Sequence, residues 1–190
     1  LEPRSQRIKD VCQKSGVREF RFARDEAERN GLWKGRKLAF GAIGRLAPNY
    51  CTQDGVVPRT RVPEILARIR QIAERYELRI PNVFHAGDGN LHPLILYDSS
   101  RPDEVAAAER LGAQILELSV AVGGCITGEH GVGLEKLAQM PAQFTEAELR
   151  QFERIKEAFD PGLALNPGKG IPLLKHCQEY RSLERGRTDA

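Results

Sequence analysis

The chain has 190 residues, 41% hydrophobic and 29% charged, a composition for about one globular domain rather than a disordered chain. No run nears the roughly 20 apolar residues of a membrane-spanning helix, and LEPRSQRIKD lacks an apolar segment, so neither a transmembrane helix nor a secretory signal is expected. Net charge is +3, but residues 1–79 carry 18 Lys and Arg against 10 Asp and Glu, and residues 80–190 carry 11 against 16. Aromatics are 6% and the basic residues are spread along helical spacing, which argues against a nucleic-acid footprint and for a solvated or partner-facing surface.

In chain order, residues 4–15 read as a helix ended by Gly16, and REFRFA (18–23) alternates like a strand. Asp25 can cap a helix running from Glu26 to about Ile43, with Leu32, Trp33, Leu38, Ala39 and Phe40 among its apolar residues. Residues 44–61 read as irregular, punctuated by Pro48, Asp54-Gly55 and Pro58. Pro63 then opens a helix with Ile65, Ile69, Ile72 and Tyr76 on one stripe. Two short apolar segments flank Asp88-Gly89, further helices follow at about 102–122, 134–139 and 145–159, and residues 173–190 form a polar tail. The sum is an α+β domain with helices on an antiparallel sheet. Cys12, Cys51, Cys125 and Cys177 have no zinc-ribbon or C-x-x-C spacing, so a reduced, cytoplasmic setting is expected.

The strongest chemistry lies in HAGDGNLHP, residues 85–93. Asp-Gly between apolar runs predicts a two-residue hairpin turn that places Ala86 opposite Leu91 and His85 opposite His92. Opposed residues have Cβ atoms about 5 Å apart, close enough for two imidazoles to meet on one ion. Phe84, Ala86, Leu91, Ile95 and Tyr97 then form the core face. Pro93 implies an edge strand or a bulge. Two half-buried, hydrogen-bonded histidines fit the same pattern without a metal. GGCITGEHGVGLEK (123–136) adds a glycine-rich loop in which Glu129 can be a third ligand and His130 is free for proton transfer. The loop fits neither the P-loop nor the dinucleotide fingerprint, and the chain has no G-x-S-x-G elbow.

HAGDGNLHP, GGCITGEHGVGLEK and AFDPGLALNPGK, with LWKGRK (32–37) and DGVVPRTRVPE (54–64), resemble the C-terminal domain of FAD-linked oxidases of the vanillyl-alcohol-oxidase type. The resemblance runs from about Val17 to Pro172, and implies a ferredoxin-like cap domain over residues 1–172. FAD would be bound mainly by a separate N-terminal domain that these residues lack, and the chain's start without Met suits a fragment. It also implies a divalent metal, zinc first, on His85, His92 and Glu129, with His130 catalytic, Arg36 on the substrate carboxylate and Asn166 near the cofactor. Thr52 and Leu94 stand where hydroxyglutarate-oxidising relatives carry Lys and Asn, which favours a short monocarboxylate such as glycolate or D-lactate. Implied partners are the flavin domain and other subunits of a glycolate-oxidising complex, including an iron–sulfur subunit. The setting is then cytoplasmic, or peripheral at the inner membrane through those subunits. A non-catalytic metal- or partner-binding module of the same fold is the alternative.

Overall fold

The structure, a computed structural model, describes residues 2–172, so the tail expected over 173–190 lies outside the described residues. The chain divides into two compact units, Leu1–Arg45 and Leu46–Ala190.

The first unit holds three helices: α1 (Glu2–Lys14), α2 (Glu26–Lys37) and α3 (Ala39–Ile43). Beyond α1, Gly16 turns left-handed and the Val17 N–H closes on the Cys12 carbonyl at 3.1 Å. Asp25 caps α2 by accepting from the Glu28 N–H. The helix expected over 26–43 is split at Leu38, whose N–H caps α2. Gly31 and Gly35 weaken the helix near this point, and Lys34, Arg36 and Lys37 suit a C-terminal end. The strand expected at 18–23 does not form. Phe20 and Phe22 do place their rings 4.9 Å apart, but no described strand pairs with the segment, and alternation without a ladder leaves its backbone unpaired.

In the second unit β1 (Asn49–Thr52) and β2 (Gly55–Val56) lead into α4 (Val62–Arg75), the hairpin β3 (Asn82–His85) and β4 (Asn90–Tyr97), and α5 (Pro102–Ala121). After the glycine-rich loop come α6 (Met140–Gln143) and α7 (Glu146–Phe159). Two strands thus occupy the span read as irregular, where Pro and Asp-Gly suggested only loop. Of the helix expected at 134–139, only a 3₁₀ turn at Leu137–Gln139 exists, followed by α6.

β4 is the centre of this antiparallel sheet. Thr52 pairs with Leu94 and Gly55 with Leu91, so β1 and β2 share one continuous register along β4, interrupted at Gln53 and Asp54. β3 pairs with Asn90–Pro93 on the opposite edge from β2. Leu91 and Ile95 of β4 pack against Ile65 and Ile69 of α4 and Leu111 and Ile115 of α5, with Phe84 and Tyr97 at the margin. Burying each such side chain contributes about 1.5–3 kcal/mol, which makes this face the main stabilising layer. Leu116, Ile126, Met140 and Leu149 form a second cluster that holds α6 and α7 and fixes the end of the glycine-rich loop at Ile126. A capping box between Thr145 and Glu148 starts α7. This is an α+β fold with a small antiparallel sheet, as the sequence patterning implies.

Candidate metal centre

The His-bearing hairpin keeps its predicted face with a different turn. The loop spans residues 86–89, with the Asp88 and Gly89 N–H groups both donating to the His85 carbonyl. His85 therefore pairs with Asn90, and His92 with Val83. The register differs from the two-residue turn by two positions, and strand side chains repeat every two, so His85 and His92 stay on one face. Their rings meet edge to face with centroids 5.3 Å apart. Ala86, expected on the core face, lies exposed in the turn. Gly89 is required: its φ is +75°, and a Cβ there would sit 2.1 Å from the Val57 oxygen.

Pro93 lies neither on an edge nor in a bulge. It sits inside β4 between Asn82 and the position of Gln53. The Gln53 N–H donates to the Pro93 oxygen at 3.0 Å, but proline has no N–H to return. The Gln53 carbonyl instead faces Nδ1 of His92 at 3.4 Å, with Oδ1 of Asp54 3.9 Å from the same nitrogen. A carbonyl and a carboxylate only accept, so a proton on Nδ1 suits this side of the ring, the arrangement that would leave Nε2 for an ion.

The loop bearing Glu129 and His130 is stitched to β2 by two bonds between Val56 and Cys125, each 3.0 Å. It then passes close over the buried Asn90: a Cβ on Gly128 would lie 2.7 Å from the Asn90 amide, so only glycine fits there. Beneath the loop lies Asp54, fully buried. Its Oδ2 accepts from the Thr127 hydroxyl (2.7 Å), the N–H groups of Gly128, Glu129 and His130 (3.0, 3.2 and 2.9 Å) and the Lys136 ammonium (3.1 Å). Burial by itself raises a carboxyl pKa. The His130 N–H, the Thr127 hydroxyl and Lys136 outweigh it and hold Asp54 well below the usual carboxylate range. Sequence reading gave Asp54 and Lys136 no role: residue 54 read as part of a turn, and no spacing rule links it to residue 136.

Above the loop, Nε2 atoms of three histidines surround one oxygen. Oε1 of Glu129 lies 2.9 Å from His92, 3.5 Å from His85 and 3.8 Å from His130. His130 stacks on His92 with parallel rings 5.0 Å apart. The His92 side chain is 5% exposed, whereas those of His85, Glu129 and His130 are 44–52% exposed, so the cluster rests on a buried base and opens to solvent. Asp54, His92, Glu129 and His130 also offer ligand atoms within 4.8 Å of one another. Asp54, however, has its Oδ2 filled with donors and faces Nδ1 of His92, while Glu129 meets the Nε2 of the same ring. It is an outer partner rather than a ligand. Two imidazole nitrogens and a carboxylate oxygen suit a zinc-type ion with an open position. Asn90, on the same β4 face, leaves its buried side-chain oxygen without a hydrogen-bond partner among the described residues.

The two other predicted residues are Arg36, in the first unit, and Asn166, in the second. Arg36 is exposed in the last turn of α2 in the first unit. Asn166 is exposed and left-handed (φ 48°) in the segment after α7, which the Gly170 N–H ties back to Gly133 of the glycine-rich loop at 2.8 Å. No helix among the described residues is long and apolar enough to cross a membrane.

Fold and centre together define an α+β domain whose sheet carries a histidine–carboxylate group on the face opposite its main core. Residues 1–170 match the family of FAD linked oxidases, C-terminal domain, and the chain belongs to that family. It is 52% identical over 178 residues to the glycolate oxidase subunit GlcD of Escherichia coli, covering 94% of this chain and 36% of that protein. It is 36% identical over 169 residues to GlcD of Bacillus subtilis, covering 89% and 36%. It is 32% identical over 170 residues to the mitochondrial D-lactate dehydrogenase (cytochrome) of Arabidopsis thaliana, covering 88% and 30%. The chain spans about a third of the length of these relatives.

Proposed function

We propose that this chain is the substrate- and metal-binding part of a flavin-dependent 2-hydroxy-acid oxidoreductase acting on a short monocarboxylate such as glycolate or D-lactate, inactive without its FAD-binding domain. The observation that carries this reading is the convergence of the His85, His92 and His130 Nε2 atoms on Oε1 of Glu129, on the open side of a domain of the FAD-linked oxidase family. The names of its relatives, glycolate oxidase subunit and D-lactate dehydrogenase, support the substrate class. Thr52 and Leu94 support it too. They are register partners beside His92, and a hydroxyl and a leucine give a second substrate carboxylate no cation to meet.

His85, His92 and Glu129 would hold a divalent ion, zinc first for this donor set, which supplies Lewis acidity to the substrate oxygens. FAD, bound mainly outside this chain, supplies the two-electron acceptor. His130 receives the substrate hydroxyl proton on Nε2 while C2 gives up a hydride, so the 2-hydroxy acid leaves as a 2-oxo acid. The Arg36 guanidinium clamps the carboxylate, Asn166 neighbours the cofactor, and Gln53 and Asp54 hold His92 in the orientation that frees Nε2. The basic half, residues 1–79, faces the flavin domain or partner subunits, among them an iron–sulfur subunit that takes the electrons.

The test is turnover of glycolate and D-lactate by the full-length protein, wild type and His130→Ala. Loss of kcat on the order of 10²–10⁴-fold, with metal content retained, is expected for a general base. Wild-type kcat across the pH profile removes His130 from the mechanism. A wild-type protein that binds metal and FAD but oxidises no 2-hydroxy acid is a binding module instead.

A further inference from the structure

Asp54 touches neither the open side of the centre nor solvent, yet every group it binds belongs to the site's own scaffolding. Three of its donors are the backbone N–H groups of the consecutive residues Gly128, Glu129 and His130. With those N–H groups turned inward onto one carboxylate, the side chains of Glu129 and His130 are left 52% and 47% exposed on the other side, over His92. Oδ1 of the same carboxylate stands 3.9 Å from Nδ1 of His92. One buried anion therefore fixes groups from two elements far apart in the chain, β4 and the glycine-rich loop. Lys136, its side chain 3% exposed, supplies the compensating charge at 3.1 Å, so the anion is not left unpaired away from water.

We propose that Asp54, neutralised by Lys136, is a positioning residue of the metal centre: its carboxylate sets the separation between His92 and the Glu129–His130 pair before any ion arrives. This rests on the metal reading above and assigns the residue that preorganises the site. Outer partners of this kind change metal affinity through the ligands they orient, not by contact with the ion.

The experiment reads zinc affinity by chelator competition, and the cobalt(II) absorption spectrum, in the full-length protein and two variants. Asp54→Asn keeps the shape but removes the charge and turns an amide group toward five donors. It is expected to bind zinc about 10–100-fold more weakly, with an altered cobalt spectrum and an unchanged far-ultraviolet circular dichroism spectrum. Thr127→Val removes one donor to Asp54 at a half-buried position and is expected to weaken zinc binding roughly 3–10-fold. A folded Asp54→Asn protein with wild-type zinc affinity and cobalt spectrum overturns the proposal. If that variant does not fold, Thr127→Val decides, and wild-type behaviour there overturns it. A wild-type protein that takes up neither ion removes the metal reading itself, and the positioning role with it.

Discussion

Replacing Pro93 by alanine isolates the device that orients His92. Gln53 and Pro93 stand opposite each other in the register shared by β1, β2 and β4, and proline leaves the Gln53 carbonyl without its ladder donor. Alanine supplies that donor, in competition with Nδ1 of His92, now 3.4 Å away. The new ladder bond contributes about 1 kcal/mol. Against it stand about 0.4–1 kcal/mol for the lost stiffness of proline and about 0.8 kcal/mol for each of its two further methylenes, since Pro93 is buried. The net is a destabilisation of about 1–2 kcal/mol, a fall in Tm of roughly 3–6 °C for a chain of this size. Zinc affinity is expected to drop about tenfold, the low end for an outer partner, because Oδ1 of Asp54 still faces the same nitrogen. Thermal denaturation of the metal-free protein and zinc competition measure the two effects separately. Unchanged zinc affinity alongside the expected fall in Tm refutes the role given to the Gln53 carbonyl.

Truncation in the main core should be costly: Leu111, fully buried between α4 and β4, is expected to lose about 2–5 kcal/mol on change to alanine, read from urea unfolding. A loss under 1 kcal/mol contradicts the packing described. Both ends of α7 should respond to acid. The Thr145 N–H and hydroxyl hold Glu148 below its ordinary pKa, and the Lys156 ammonium with the Leu165 N–H does the same for Asp160. A depressed carboxyl contributes stability fully above the unfolded value of about 4 and loses it as pH falls through the lower folded value. The urea midpoint should therefore fall between about pH 5 and pH 2, and a midpoint that rises on acidification refutes the assignment.

The hairpin shows why one part of the centre could be read in advance. Two histidines seven positions apart, on either side of a turn, share a face whenever the register error is even. The four-residue loop moved the register by two and so changed the partners without changing the face. A shift of one would have set His85 opposite Leu91, on the core face, and parted it from His92. The apolar stripe of α4 and the cap of α2 were legible for a similar reason: each is decided by residues within a few positions of one another. REFRFA misled because alternation states what a strand would bury and not whether a partner strand is there.

The sequence by itself singled out His85, His92, Glu129 and His130, which the structure brings together, and the packing faces of the helices; the hairpin face and the helix faces follow periods of two and 3.6 residues. Only the tertiary structure decided that residues 49–56 run along β4, that Pro93 leaves the Gln53 carbonyl for His92, and that Asp54 meets Lys136 and the amides of 128–130. Those contacts join positions 34 to 82 residues apart, brought together by the sheet register and by the glycine-rich loop tied to β2 at Cys125. A turn-like Asp-Gly in the sequence thus places the buried anion beneath the centre once the strands on either side of Asp54 are paired.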